Sequence, residues 1–175
     1  TRLGNPTNDY VEARIAALEG GVGALLTSSG QSALTLAILN LASAGNNIVA
    51  SPSLYGGSTS LLNNTLRRLG IDARFVHDPY DVDEWLSLAD ENTVAFYGET
   101  IPNPKGDIFD IEKIAQAAHS VGVPLIVDNT VATPYLTRPI EWGADIVVHS
   151  ATKYLGGHGT AISGAIVDAG NFDYT

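Results

Sequence analysis

The chain has 175 residues, of which 45% are hydrophobic and 16% are charged, so it can build one substantial core and is neither disordered nor a small disulfide scaffold. With 19 acidic and 9 basic side chains the formal net charge is −10, and no Lys/Arg-rich run could follow a phosphate backbone. We therefore expect no nucleic-acid partner. Cysteine is absent, which excludes a thiolate nucleophile and Cys-based metal sites.

Apolar stretches and the first residues bear on location. No apolar run approaches the length of a membrane span, and the start has no signal-peptide features. We expect a cytoplasmic protein without a membrane partner. The sequence opens at Thr1, contains no methionine, and stops shortly after an apolar run, which favours a segment of a longer protein.

Short apolar runs alternate with segments of helical period along the whole chain. Asn5 can cap a first helix, in which Val11, Ile15 and Leu18 recur at helical spacing until Gly20, and this predicts an amphipathic helix. Further helices are predicted at 32–42, 58–69, 82–88 and 111–121, and strands at 24–27, 48–51, 73–77, 94–97, 125–128, 146–149 and 164–167. The helix at 32–42 is apolar on nearly every side, which predicts a place at the centre of a larger body.

Most of these strands are continuous Val, Ile and Ala runs, as is typical of strands buried on both faces. The predicted fold class is α/β, with a mainly parallel sheet flanked by helices in one domain. Polar residues follow three strands, at 98–100, 128–130 and 149–153. Because ligands of such sheets bind beyond the carboxyl ends of the strands, we expect the functional site there.

The chain contains three lysines, which can be compared directly. Lys105 lies in a Pro- and Gly-rich turn and Lys113 on an amphipathic helix, both ordinary solvated positions. Lys153 lies at the mouth of a buried strand, between Ser150 and Thr152 and a glycine-rich stretch. In a partly dry pocket such an amine becomes a nucleophile that can form a Schiff base with an aldehyde cofactor. A lysine paired with a nearby carboxylate is an equally consistent interpretation.

Three further features would suit pyridoxal phosphate, and each has a structural alternative. Asp128 could keep a pyridine nitrogen protonated or could cap a turn. Ser29, Gly30 and Gln31 open a helix and could bind a phosphate, or could form a simple N-cap. Tyr55 could stack on a flat ring or could cover the edge of the core.

Six motifs in order along the chain resemble those of the Cys/Met-metabolism family of pyridoxal phosphate enzymes. They lie at 2–7, 29–33, 54–57, 99–104, 127–130 and 150–159. The resemblance implies that residues 1–175 belong to the large cofactor-binding domain of fold type I enzymes, which are similar to aspartate aminotransferase. The cofactor it implies is pyridoxal 5'-phosphate.

Within the family, Gly-His-Gly at 157–159 and the ending at 166–174 resemble the O-acetylhomoserine sulfhydrylases. This branch implies γ-replacement on O-acetylhomoserine with sulfide or a thiol, which gives homocysteine or methionine plus acetate. Cystathionine and methionine γ-lyases and γ-synthases of the same family remain alternatives. A cofactor-binding or assembly module without turnover is an alternative from another class.

The resemblance also implies residue roles. Catalytic roles fall on Lys153, as Schiff-base lysine and proton carrier, and on Tyr55. Cofactor-binding roles fall on Arg2, Ser29, Gly30, Gln31, Tyr55, Asn103, Asp128, Ser150, Thr152 and Lys153, and no metal is implied. Arg2 is expected to reach the phosphate of a neighbouring subunit, so a dimer or tetramer with shared sites is predicted. The arginine that binds the substrate carboxylate is expected in a C-terminal domain outside this sequence.

Overall fold

The structure, a computed structural model, describes residues 4–174. Within that range the chain forms one sheet of seven strands in the order β1-β7-β6-β5-β4-β2-β3. The strands are β1 (Gly23–Thr27), β2 (Asn47–Ala50), β3 (Asp72–Phe75), β4 (Thr93–Glu99), β5 (Leu125–Asp128), β6 (Ile146–His149) and β7 (Gly164–Asp168). Strands β2 to β6 pair in parallel, whereas β7 runs antiparallel to both β6 and β1. The predicted mainly parallel α/β fold is confirmed.

The helices alternate with the strands, as the sequence predicts. They are α1 (Pro6–Glu19), α2 (Gly30–Leu41), α3 (Gly56–Ser60), α4 (Val82–Leu88), α5 (Ile111–Ser120) and α6 (Thr133–Leu136), with a π-helical segment at Leu61–Leu66 and a 3-10 turn at Pro139–Trp142. Helix α6 and the 3-10 turn were not predicted, because elements of four residues carry no helical period. No helix among the described residues is long and apolar enough to cross a bilayer.

The two faces of the sheet carry two separate cores. Val127 and Val147 pack with α1, α4 and α5 on one face, whereas Ile126 and Val148 pack with α2 and the π-helical segment on the other. This division follows from the strand backbone, because successive side chains point to opposite faces. Both faces of β5 and β6 are therefore covered, whereas Asp128 at the end of β5 and Ser150 directly after β6 are only partly buried.

The apolar stripe predicted for α1 is wrong in detail. The helix is capped by Asn5 and ends at Gly20 in the left-handed conformation, as expected, but Val11 and Leu18 are exposed. Its inner face carries Ile15 and two carboxylates instead. One of these, Glu12, accepts a hydrogen bond from the Leu26 N–H at 2.7 Å, because the edge strand β1 offers donors that a polar side chain can satisfy.

The described residues do not enclose helix α2, and its predicted place at the centre of a larger body stays a prediction. Ala33, Leu34 and Ile38 are buried against the sheet, but Leu36 and Leu39 on the outer side are exposed. The helix lies on one face of the sheet as an outer layer. Within the described part of the chain, the apolar outer side of α2 is exposed to solvent.

Candidate active site

The polar segments that follow β4, β5 and β6 lie side by side, as predicted. Glu99 pairs with Asp128 across β4 and β5, and Asp128 pairs with Val148 across β5 and β6. Paired residues of neighbouring strands point to the same face, so Glu99 and Asp128 both lie on the α2 side of the sheet. This edge is the candidate active site.

Helix α2 begins directly against the end of β6. A Cβ added to Gly30 would lie 2.6 Å from Ser150 Cβ and 2.8 Å from its Cα, closer than side chains can approach. Glycine at this position therefore brings the first turn of α2 against Ser150. Two predicted phosphate-binding segments, separated by 120 positions in the sequence numbering, meet here.

The first turn of α2 can receive an anion. Ser29 is the N-cap, and its Oγ accepts the Ser32 N–H at 3.1 Å, so the N-cap interpretation is correct for this side chain. The N–H groups of Gly30 and Gln31 lie in the first turn and have no acceptor within the helix. With the positive end of the helix dipole they form a place for a phosphate group.

The segment after β6 is tied down by its neighbours. The Ser150 N–H donates to Thr130 Oγ1 at 2.8 Å. Thr152 Oγ1 donates to the Ser163 carbonyl at 3.1 Å and accepts the Ser163 N–H at 3.0 Å. The Thr152 hydroxyl thus holds the turn against the residue before β7.

Lys153 lies in this turn, and its N–H donates to the Ser150 carbonyl at 3.0 Å. Lys153 is exposed in the part of the chain that the structure describes, and the prediction that its side chain lies in a partly dry pocket stays a prediction. Among residues 4–174 no carboxylate lies within salt-bridge distance of its amine. By contrast, Lys113 pairs with Asp110 at 2.7 Å, and the exposed Lys105 places Nζ 3.2 Å from Ser53 Oγ.

Asp128 ends β5 and is partly buried. Its Oδ1 accepts the Thr130 N–H at 2.8 Å, so the side chain also makes the turn that the structural alternative predicted. Burial raises the pKa of Asp128, and hydrogen bonds from Thr130 oppose that shift. The Asp128 carboxylate therefore lies, partly exposed, on the same face of the sheet as the start of α2.

Tyr55 immediately precedes α3, and its side chain is 51% exposed. A Cβ added to Gly57 would lie 2.4 Å from Tyr55 Cε1 and 3.1 Å from Gln31 Nε2. Gly57 therefore makes room for the ring of Tyr55 beside the first turn of α2. Two more predicted cofactor residues, Tyr55 and Gln31, are brought together at this point.

One predicted residue is not joined to the cluster by any contact, and another lies outside the described residues. Asn103 is exposed in the loop after β4 and makes no side-chain hydrogen bond with the rest of the described chain. Arg2 lies outside the described residues. Their proposed roles stay predictions.

Glu99 is a site residue that the sequence analysis did not single out. It is buried at the end of β4, and its two carboxylate oxygens accept the Tyr55 N–H at 2.9 and 3.0 Å. A charged residue at the end of a buried strand is a usable signal. Its partner, however, lies 44 positions away, and no local pattern identifies it.

A second buried polar cluster lies on the α1 face and was also missed. Glu19 Oε1 accepts Asn129 Nδ2 at 2.9 Å and lies 2.5 Å from His149 Nε2. Glu19 Oε2, Asn129 Oδ1 and His149 Nδ1 have no partner among the described residues. In the sequence, Glu19 is an ordinary charged residue of the last helical turn before Gly20. Charged side chains are rarely buried, so no local pattern indicates this cluster.

A cavity of about 490 Å³ lies elsewhere, between the segments around 100–112 and 132–142. Its walls include Ile108, Phe109 and Leu136, and none of the predicted site residues lines it. The same segments pack on the α4 and α5 side of the sheet. We therefore distinguish this cavity from the candidate active site.

The residues present at the sheet edge fit pyridoxal phosphate. The first turn of α2 suits its phosphate, Asp128 suits its ring nitrogen, and the open face of Tyr55 suits its flat ring. The exposed amine of Lys153 suits its aldehyde. The close approach of Gly30 to Ser150 brings the first turn of α2 next to the turn that carries Lys153.

Comparison with known proteins gives a consistent result. The family model for Cys/Met metabolism PLP-dependent enzymes matches residues 1–175. An O-acetyl-L-homoserine sulfhydrylase from Leptospira meyeri is 55% identical over 174 residues, which are 99% of this chain and 39% of the relative. A homocysteine synthase from Schizosaccharomyces pombe is 55% identical over 177 residues, covering 99% of this chain and 41% of the relative.

A solved structure shows the same fold. A crystal structure of a Campylobacter jejuni protein, named as an O-acetylhomoserine (thiol)-lyase with N'-pyridoxyl-lysine-5'-monophosphate, matches with a TM-score of 0.94 and 43% identity. The match covers 97% of this chain and 42% of that one. The chain thus spans about two fifths of the length of these relatives.

Proposed function

Because this chain belongs to the Cys/Met metabolism family of PLP-dependent enzymes, we propose that the whole protein is an O-acetylhomoserine sulfhydrylase. It replaces the acetoxy group at Cγ of O-acetylhomoserine with sulfide or a thiol. The Cγ–O bond breaks, a Cγ–S bond forms, and the products are acetate plus homocysteine or, from methanethiol, methionine. The names of the relatives at 55% identity support this branch of the family.

The observation that carries the proposal is the meeting of α2 with the end of β6. Gly30 lies against Ser150 so closely that no larger side chain fits, and Asp128 lies on the same face. This arrangement places free backbone donors and a carboxylate at one edge. A phosphorylated pyridine with a protonated ring nitrogen offers groups complementary to both.

Each cofactor-binding residue has a defined task in this proposal. Gly30 and Gln31 bind the phosphate through backbone N–H groups, with Ser29, Ser150 and Thr152 as polar neighbours. Asp128 binds the ring nitrogen, and Asn103 lies near the phenolic oxygen. Arg2 reaches the phosphate in a neighbouring subunit, so the whole protein is a homo-oligomer with shared sites. It acts in the cytoplasm.

The chemistry divides between cofactor and protein. When bound, pyridoxal phosphate supplies an aldehyde that captures amino groups and a ring that accepts electrons from Cα. Lys153 holds the cofactor, and its Nζ then removes the Cα proton of the substrate and returns protons as general acid. Tyr55 covers the ring and assists this proton transfer. Asp128 keeps its carboxylate against the ring nitrogen.

Product analysis with and without sulfide tests the proposal. The purified full-length holoenzyme should release acetate and homocysteine from O-acetylhomoserine only when sulfide is supplied. Release of ammonia and a 2-oxo acid without sulfide would instead identify a γ-lyase. If the protein binds the cofactor but consumes neither O-acetylhomoserine nor any sulfur-containing amino acid, it is a module without turnover.

A further inference from the structure

Glu99 is a buried carboxylate that no step above uses. It is only 6% exposed, and both of its oxygens accept a hydrogen bond from the Tyr55 N–H, at 2.9 and 3.0 Å. Oε1 also accepts the Ser58 hydroxyl at 2.9 Å and the Tyr97 hydroxyl at 3.3 Å. The carboxylate is thus surrounded by donors from α3 and from its own strand.

These contacts replace the missing cap of α3. Helix α3 begins at Gly56, and Tyr55 at the N-cap makes no side-chain cap hydrogen bond. In a capping box, a Glu in the first turn of the helix accepts the N–H of the N-cap residue. Here Ser58 occupies that first-turn position, and Glu99 supplies the carboxylate from β4. The start of α3 is therefore fixed to the sheet and not to its own sequence.

The same contacts fix where Tyr55 stands. Glu99 bonds the backbone N–H of Tyr55. The ring of the same residue lies over Gly57, beside Gln31. Glu99 in turn is paired with Asp128 in the sheet. One carboxylate thus sets the position of the Tyr55 ring relative to the strand that carries Asp128.

We propose that Glu99 is a positioning residue that holds Tyr55 over the cofactor-binding edge by accepting its backbone N–H. This inference rests on the proposed cofactor contact of Tyr55 and adds the group that maintains it. The ionised carboxylate has two oxygens that accept without competition. Protonation would leave the Tyr55 N–H one acceptor oxygen in place of two and would remove the negative charge, so the clamp is strongest when Glu99 is ionised.

The charge state of Glu99 changes close to neutral pH. Burial and the neighbouring charge of Asp128 raise the pKa of Glu99 to about 7, against the hydrogen bonds from Tyr55 and Ser58. The titratable groups that face it are Tyr97 on its own strand, Asp128 on β5, and Tyr80 and Asp107, which line the same small cavity. Holding of Tyr55 should therefore weaken as the pH falls below neutrality.

Reconstitution of the full-length apoenzyme with pyridoxal phosphate tests the clamp without any turnover. The variant Glu99→Gln should weaken cofactor affinity roughly tenfold, since the amide opposes donors that the carboxylate accepts. It should also change the visible circular dichroism of the bound cofactor. Between about pH 6 and pH 8 the wild type should gain affinity, and Glu99→Gln should lose that part of the gain.

Two further variants separate positioning from a general structural effect. Gly57→Ala leaves Glu99 intact but displaces the Tyr55 ring, so it should change the cofactor circular dichroism in the same sense as Glu99→Gln. Thr59→Ala is the matched control, because its hydroxyl bonds the Tyr55 carbonyl at 3.3 Å on the exposed side of α3, and it should leave affinity and spectrum unchanged.

The proposal is overturned if Glu99→Gln binds the cofactor with wild-type affinity and spectrum. It is equally overturned if Glu99→Gln changes the signal but Gly57→Ala does not, since Glu99 would then act without the ring of Tyr55. If Glu99→Gln does not fold, the wild-type affinity between about pH 6 and pH 8 decides, with no gain in affinity as the contradicting result. Absence of homocysteine formation would refute the proposed reaction and leave these cofactor readouts valid.

Discussion

Two buried carboxylates lie near the same edge of the sheet, one on each face, and they differ in how completely they are bonded. On the α2 face, both oxygens of Glu99 receive donors. On the α1 face, Glu19 Oε1 contacts Asn129 and His149, while Oε2 has no partner among the described residues. Glu99 is bonded to the backbone of Tyr55, which is exposed, whereas Glu19 is bonded to Asn129 and His149, which are fully buried.

This difference separates a site residue from a structural one. A complete donor set around Glu99 fixes the backbone of Tyr55, which is half exposed and free to meet a ligand. The Glu19 cluster joins α1 to the residues just after β5 and at the end of β6. We therefore expect changes at Glu19 to lower stability first, and changes at Glu99 to alter cofactor binding first.

The largest effect is expected for Glu19→Ala. The substitution leaves His149 and Asn129 buried without their shared acceptor and should lower the free energy of unfolding by about 3–5 kcal/mol. Urea denaturation of the full-length protein measures it. Glu12→Ala on the same helix, which removes one bond to the Leu26 N–H, should cost only about 1 kcal/mol. Equal losses for the two variants would contradict the assigned difference.

The next effect concerns the pH dependence of stability. The pKa of Glu99 is raised from 4.5 to about 7, so the folded state binds an extra proton between these values and stability must fall as the pH rises through them. The loss is at most roughly 3 kcal/mol. In Glu99→Gln this component should be absent. Denaturation curves at several pH values check the difference, and identical pH profiles would show that Glu99 does not titrate there.

A smaller effect is expected for Gly30→Ala. The new methyl group would meet Ser150 at 2.6 Å, so α2 must move away from β6 at a cost of about 1–3 kcal/mol. Cofactor affinity should fall as well, because the phosphate cradle opens. Gly23→Ala in β1 is the control, since nothing lies within 4 Å of its added Cβ. Unchanged cofactor binding in Gly30→Ala would argue against the cradle.

The sequence predicted the architecture well because the strands are apolar and their ends are marked by polar residues. β5 and β6 begin and end where their Val/Ile runs predict. The parallel pairing of these strands then places Asp128 next to Val148, two residues before Ser150. The family resemblance implies that Ser29, Gly30 and Ser150 all bind the cofactor. The close approach of Gly30 to Ser150 is consistent with that prediction.

Tertiary contacts explain what the sequence could not predict. The periodicity of Val11 and Leu18 suggested a buried stripe, but the buried side of α1 carries Glu12 and Glu19, which bond to distant parts of the chain. The cap of α3 comes from Glu99, 44 positions from Tyr55. The surroundings of Lys153 depend on what covers the sheet edge, and local sequence carries no information on that.

The central claim, that this sheet edge holds pyridoxal phosphate through Lys153, has one direct test. Borohydride reduction of the full-length holoenzyme fixes the cofactor to the lysine that carries it, and peptide mapping then identifies the labelled residue. We expect a pyridoxyl label on Lys153, in the turn that begins at Ser150. A label on Lys105 or Lys113, or on no residue of this chain, would contradict it.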